Sequence, residues 1–155
     1  MPMPDELTPA PSLPTEPVAE PPAASPVEPP NGSREAYAIM LGVAGWLLPG
    51  LGHALQKMWG RALIVFLTVG LLVFTGAKMR GNVFSSYGVG AFDRLGYIAD
   101  IGSGAFYYAA RALELHGSDV SHADGDYGTR FLATAGVLNL LAALHAYEAA
   151  RGKKA

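Results

Sequence analysis

Cysteine is absent from the 155-residue chain, which removes disulfides, thiolate metal sites and cysteine nucleophiles together. Charge is scarce as well. Asp, Glu, Lys and Arg make up 15% of the residues, half of the chain is hydrophobic, and the net charge of -2 provides no basic surface for nucleic acid. Proline is almost missing beyond residue 30: eleven of the twelve lie before Asn31, and Pro49 is the other. Also missing are phosphate-binding glycine loops, nucleophile elbows and paired catalytic carboxylates. The sequence therefore names no catalytic residue, cofactor or metal, and its information concerns location and build.

What is there begins with a tail, residues 1–35, made of Pro, Ala, Glu, Ser and Thr with Asp5, Glu6, Glu16, Glu20 and Glu28. Such a stretch cannot bury enough apolar surface to offset its ordering entropy and reads as a disordered spacer. It lacks the basic and apolar regions of a signal peptide.

The rest, 36–150, reads as an all-α integral membrane bundle, followed by a basic end at 151–155. Ala36 to Leu55 carries no formal charge and at 1.5 Å per residue matches a hydrocarbon core of roughly 30 Å. Trp59 to Ala77 is the strongest apolar run, with Trp59 as an interfacial anchor and Lys78 and Arg80 at its far end. Thr129 to Ala150 is a third span, closed by Arg151, Lys153 and Lys154. Leu95 to Leu115 is ambiguous. Asp100, Ser103, Tyr107 and Arg111 recur at steps of three and four, so one helical face is polar, and the segment either lies at the interface or crosses with that face inward.

Three crossings divide the basic residues almost evenly. With four, Arg34, Lys78, Arg80, Arg94, Arg151, Lys153 and Lys154 face Lys57, Arg61 and Arg130, a bias that favours both termini on the cytoplasmic side.

Within the first run, Pro49, Gly50 and Gly52 form a helix-break motif. Gly45-Trp46-Leu47-Leu48-Pro49-Gly50-Leu51-Gly52-His53 followed by Trp59-Gly60-Arg61-Ala62-Leu63 resembles the hairpin of the two-transmembrane-helix domain superfamily. Gly125-Asp126-Tyr127-Gly128-Thr129, then Ala135 to Leu141 and Ala146-Tyr147-Glu148, resemble an uncharacterised bacterial family of short polytopic membrane proteins, domain of unknown function 6677. That resemblance covers about Tyr37 to Lys153. It implies a helical membrane fold and a bacterial inner-membrane location, and no activity.

Polar residues inside the apolar segments are the functional candidates, since burying them in lipid is costly. His53 is either a ligand or proton carrier, or a neutral imidazole satisfied near the helix break. His145 and Glu148 share a face, Asn139 suits a hydrogen bond between helices, and Asp100 has Tyr107, Arg111 or His53 as candidate partners. His116 to Asp126 holds three carboxylates and two imidazoles, but its spacing fails the calcium-loop pattern, and Asp126 and Thr129 suit a helix start instead.

Two functional classes fit. One is a structural or assembly scaffold packing against a second copy or a larger membrane protein. The other is an oligomeric transporter, channel or membrane enzyme built on an intramembrane Asp100–His53 pair. The expected partners are the lipid bilayer and a protein in it.

Overall fold

The computed structural model describes residues 32–114 and 117–152; most of the Pro-rich tail and the final lysines lie outside that range. The described residues form helices α1 (Gly32–Leu47), α2 (Leu51–Leu55), α3 (Trp59–Lys78), α4 (Ala91–Ile101), α5 (Ala105–Leu113) and α6 (Ala123–Ala150), with no strand among them. The all-α expectation holds at this level. Two of the helices, α3 and α6, are long and apolar enough to cross a membrane.

These two long helices run antiparallel. Gly76 near the end of α3 and Gly81 just beyond it meet Gly128 near the start of α6, while Ile64 and Val65 flank the same cleft as Ala142 and His145. Close approach depends on the missing side chains: a Cβ on Gly76 would come 2.7 Å from the Gly128 carbonyl oxygen.

The remaining helices differ from the expected spans, and backbone chemistry explains why. The first apolar run is broken. α1 stops at Leu47, since Pro49 disfavours helical geometry in the residue before it, and Gly50 turns the chain with a φ of 84°. After the turn the chain doubles back. Gly42 lies against Tyr147, Gly45 against Ala143, and Asn139 of α6 bonds to Trp46, so α1 descends along only the last part of α6. Gln56, after α2, bonds to Ala146, back near the level where α1 entered.

The ambiguous 95–115 segment is likewise two helices, not one. Gly104 holds φ 63° and ψ -129°, a region open essentially to glycine alone. Ala99 and Gly102 meet Gly136, whereas Glu114 returns to the cleft beside Lys78 and Gly81. α4 and α5 thus form a second half-depth hairpin, entering from the opposite end of the bundle. The two turns meet: a Cβ on Gly104 would collide with the carbonyl oxygens of Trp46 and Leu47.

The core formed by Val69, Val73, Val83, Tyr107, Ala110, Leu132 and Ala135 is small. α6 also starts earlier than the Thr129 expected. Ala123 opens the helix, Asp126 pairs with Arg130 at 2.7 Å, and Thr129 serves a different contact.

Candidate functional site

Where the two hairpin turns meet, α6 supplies one polar side chain. Asn139 is fully buried, and its Nδ2 donates to the carbonyls of Trp46 and Gly102, each at 2.9 Å. Both carbonyls belong to helix ends, which lack intrahelical donors. One amide therefore satisfies an end of each broken helix. Trp46 strengthens the joint, its Nε1 donating to the Ile101 carbonyl at 3.1 Å. Trp46 was not among the expected site residues, because an indole in an apolar run reads as lipid-facing.

Asp100, Tyr107 and Arg111 do come together, but around a strand of loop backbone and not around a ligand. The chain after α3 folds inward as Val83 and Phe84. Asp100 Oδ2 accepts the Phe84 amide at 2.8 Å, the Tyr107 hydroxyl donates to the Phe84 carbonyl at 3.1 Å, and Arg111 Nη1 donates to the Val83 carbonyl at 3.3 Å. Each side chain replaces a partner that irregular backbone lacks when buried. Ser103 Oγ turns back onto the Asp100 carbonyl at 2.6 Å. Nearby, the Thr129 hydroxyl accepts the Asn82 amide at 2.8 Å.

His53 is not a partner of Asp100. It is buried, and its Nε2 lies 2.9 Å from His145 Nδ1, with the rings stacked 5.2 Å apart. Two nitrogens at that distance share one proton. Gln56 holds the surrounding turn by donating to the carbonyls of Gly52 and Ala146. Glu148 is exposed and makes no ion pair or hydrogen bond among the described residues. A different carboxylate acts at this end: Glu35 accepts the Tyr147 hydroxyl at 2.5 Å and pairs with Arg151 Nε at 3.0 Å. These contacts fasten the start of α1 to the end of α6.

The polar turn before α6 closes on itself. Asp119 Oδ1 accepts Ser121 Oγ at 2.6 Å and lies 3.1 Å from His122 Nδ1, while its other oxygen meets Arg80 at 3.4 Å. The Ser121 and His122 hydrogen bonds, with Arg80 beside them, hold the Asp119 carboxyl below its ordinary value. Serine, histidine and aspartate meet here without triad geometry, since one imidazole nitrogen faces both the serine and the carboxylate. Among the described residues no group of three His, Cys, Asp or Glu side chains could hold a metal ion; His116 lies outside them.

The chain belongs to the family of unknown function DUF6677, whose sequence profile matches residues 40–155. No curated protein and no solved structure matches it.

Proposed function

We propose that this DUF6677 family member is an integral membrane protein with a structural role, an assembly scaffold whose small helical domain packs in the bilayer against a second copy or a larger membrane protein. In this reading α3 and α6 cross the bilayer, and the α1–α2 and α4–α5 hairpins enter from opposite faces to mid-depth and return. It replaces the three or four complete crossings expected from apolar runs.

The observation that carries the membrane reading is the surface of α3. Its mean hydropathy is 1.9, yet only 17% of its apolar window is buried. Leu63, Ile64, Leu67, Leu71 and Phe74 all face outward. The core helix of a water-soluble domain would bury such residues, because each exposed one forfeits roughly 1.5 to 3 kcal/mol in water. In lipid that cost vanishes. Buried irregular backbone satisfied by side chains fits the same solvent.

Against a transport or catalytic role, the Asp100–His53 pair on which it would rest does not form: each group is engaged in a different contact. The scaffold reading is tested by purification from native membranes. The protein should resist alkaline extraction and come out in detergent with a stoichiometric membrane partner or as a defined homo-oligomer without ion flux. Release into the soluble fraction would overturn the membrane reading, and flux through reconstituted protein would overturn the structural role.

A further inference from the structure

Arg61 is the one charge in the apolar run of α3, and it makes no ion pair or hydrogen bond among the described residues. It borders an open cleft of about 280 Å³ between α3 and α6, lined also by His53, Ile64, Val65, Ala142 and His145. Among the described residues no carboxylate lines that cleft. The hydrogen bond between the imidazoles uses one nitrogen of each ring, and neither His53 Nδ1 nor His145 Nε2 bonds elsewhere among the described residues. The polar end of the cleft therefore offers a guanidinium and one imidazole N–H, and the other end offers aliphatic side chains.

We propose that this cleft binds a phosphate group, and that its source is a membrane phospholipid whose acyl chain runs along Ile64 and Val65. The proposal rests on the membrane reading above. An arginine near the start of a bilayer-crossing helix reaches toward the headgroup level, and its guanidinium matches phosphate oxygens with paired N–H donors. Trp59, exposed one half-turn earlier, puts this level at the interface, where lipid phosphates lie. The imidazole pair adds a donor beside the guanidinium because one ring must keep an N–H that the shared bond does not use.

The test is a titration of the full chain in detergent with dioctanoyl phosphatidylglycerol, repeated with inorganic phosphate, with bound ligand counted by native mass spectrometry. Wild type should bind one lipid, Arg61→Gln and His145→Gln should bind it about tenfold more weakly or worse, a loss of roughly 1.4 kcal/mol or more, and Arg94→Gln, at the opposite end, should bind like wild type. Lipid binding that inorganic phosphate does not displace supports the phospholipid source. Displacement by inorganic phosphate at similar concentration would overturn that source and leave a site for free phosphate. Equal binding by wild type and both cleft variants would overturn the site itself. Helicity and gel filtration of each variant, with its fractionation between membrane and soluble pools, separate loss of the site from loss of the fold or of the membrane reading.

Discussion

The amide of Asn139 is where the least chemistry holds the most structure. Two carbonyls from separate hairpins converge on its nitrogen, and its Oδ1 has no hydrogen-bond partner among the described residues. Asn139→Leu keeps most of the volume while removing both donors, leaving two helix-end carbonyls unpaired. We expect a loss of about 1 to 3 kcal/mol, read as a lower melting temperature in detergent; an unchanged melt would mean that the hairpin tips are held by packing alone. Asp100 gives a graded version of the same test. Asp100→Asn retains an acceptor for the Phe84 amide, whereas Asp100→Leu does not, so the leucine variant should melt lower than the asparagine variant. Equal melting would show that the Phe84 contact contributes nothing. At the surface, Ser121→Ala removes a hydrogen bond that depresses the Asp119 carboxyl, so its titration, followed by NMR, should move up toward the ordinary carboxylate range. The sign fixes the pH dependence: a depressed carboxyl stabilises the Arg80–Asp119–His122 turn above its unfolded value, and that contribution is lost as pH falls through the folded one. Protection factors of the amides in residues 117–122, with the intrinsic pH dependence of exchange divided out, should therefore fall on acidification while those in α3 hold.

At the scale of elements, the two breaks decide the architecture, and they were unequally legible. Pro49 and Gly50 announce the first in the sequence, although hydropathy alone reads straight through them and reports a single span. The second break is silent in hydropathy, because Gly102-Ser103-Gly104 sits among residues whose helical periodicity runs on from Leu95 to Leu115. Only the positive φ of Gly104 and its contact with Trp46 make the turn necessary, and a partner 58 positions away leaves no local mark. α3, by contrast, was read almost to the residue, because an unbroken apolar run and its flanking charges are local signals. Asp100, Tyr107 and Arg111, expected on one face of a single helix, lie on two helices, α4 and α5, and converge because the hairpin folds back. Their target, the backbone of Val83 and Phe84, was not foreseeable, since nothing in those residues tells that the loop folds inward. The His53–His145 pair was missed for the same reason, its members lying 92 positions apart. Gly104→Ala should unseat the second hairpin, costing about 1 to 3 kcal/mol in backbone strain alone, with a collision against Trp46 added. Gly117→Ala, also at positive φ but with open space around it, should cost only the strain of a loop. Similar melting temperatures for the two variants would contradict the tip-to-tip contact.

For the molecule as a whole, two short hairpins meet head to head along α6, and in the proposed membrane reading they stand in place of two complete crossings. α6, at 28 residues, is about 42 Å long, and the hairpins meet near its middle at Asn139. Among the described residues this arrangement leaves Arg34, Lys57, Arg61 and Arg151 at one end and Lys78, Arg80, Arg94, Arg111 and Arg130 at the other, so the basic bias that favoured four crossings is gone. In that reading the charge rule exerts little pull on orientation, and insertion would follow from the two long helices. Four crossings and two crossings with two hairpins agree on both termini and differ at the linkers. The absence of native cysteine makes the decisive measurement clean: single cysteines at Ser33, Lys57, Ser86 and Ser121, each labelled in sealed vesicles with a membrane-impermeant maleimide. The architecture described here predicts that Ser33 and Lys57 report one side and that Ser86 and Ser121 report the other. Finding Ser33 opposite Lys57, or Ser86 opposite Ser121, would contradict it and restore a complete crossing to the hairpin between them.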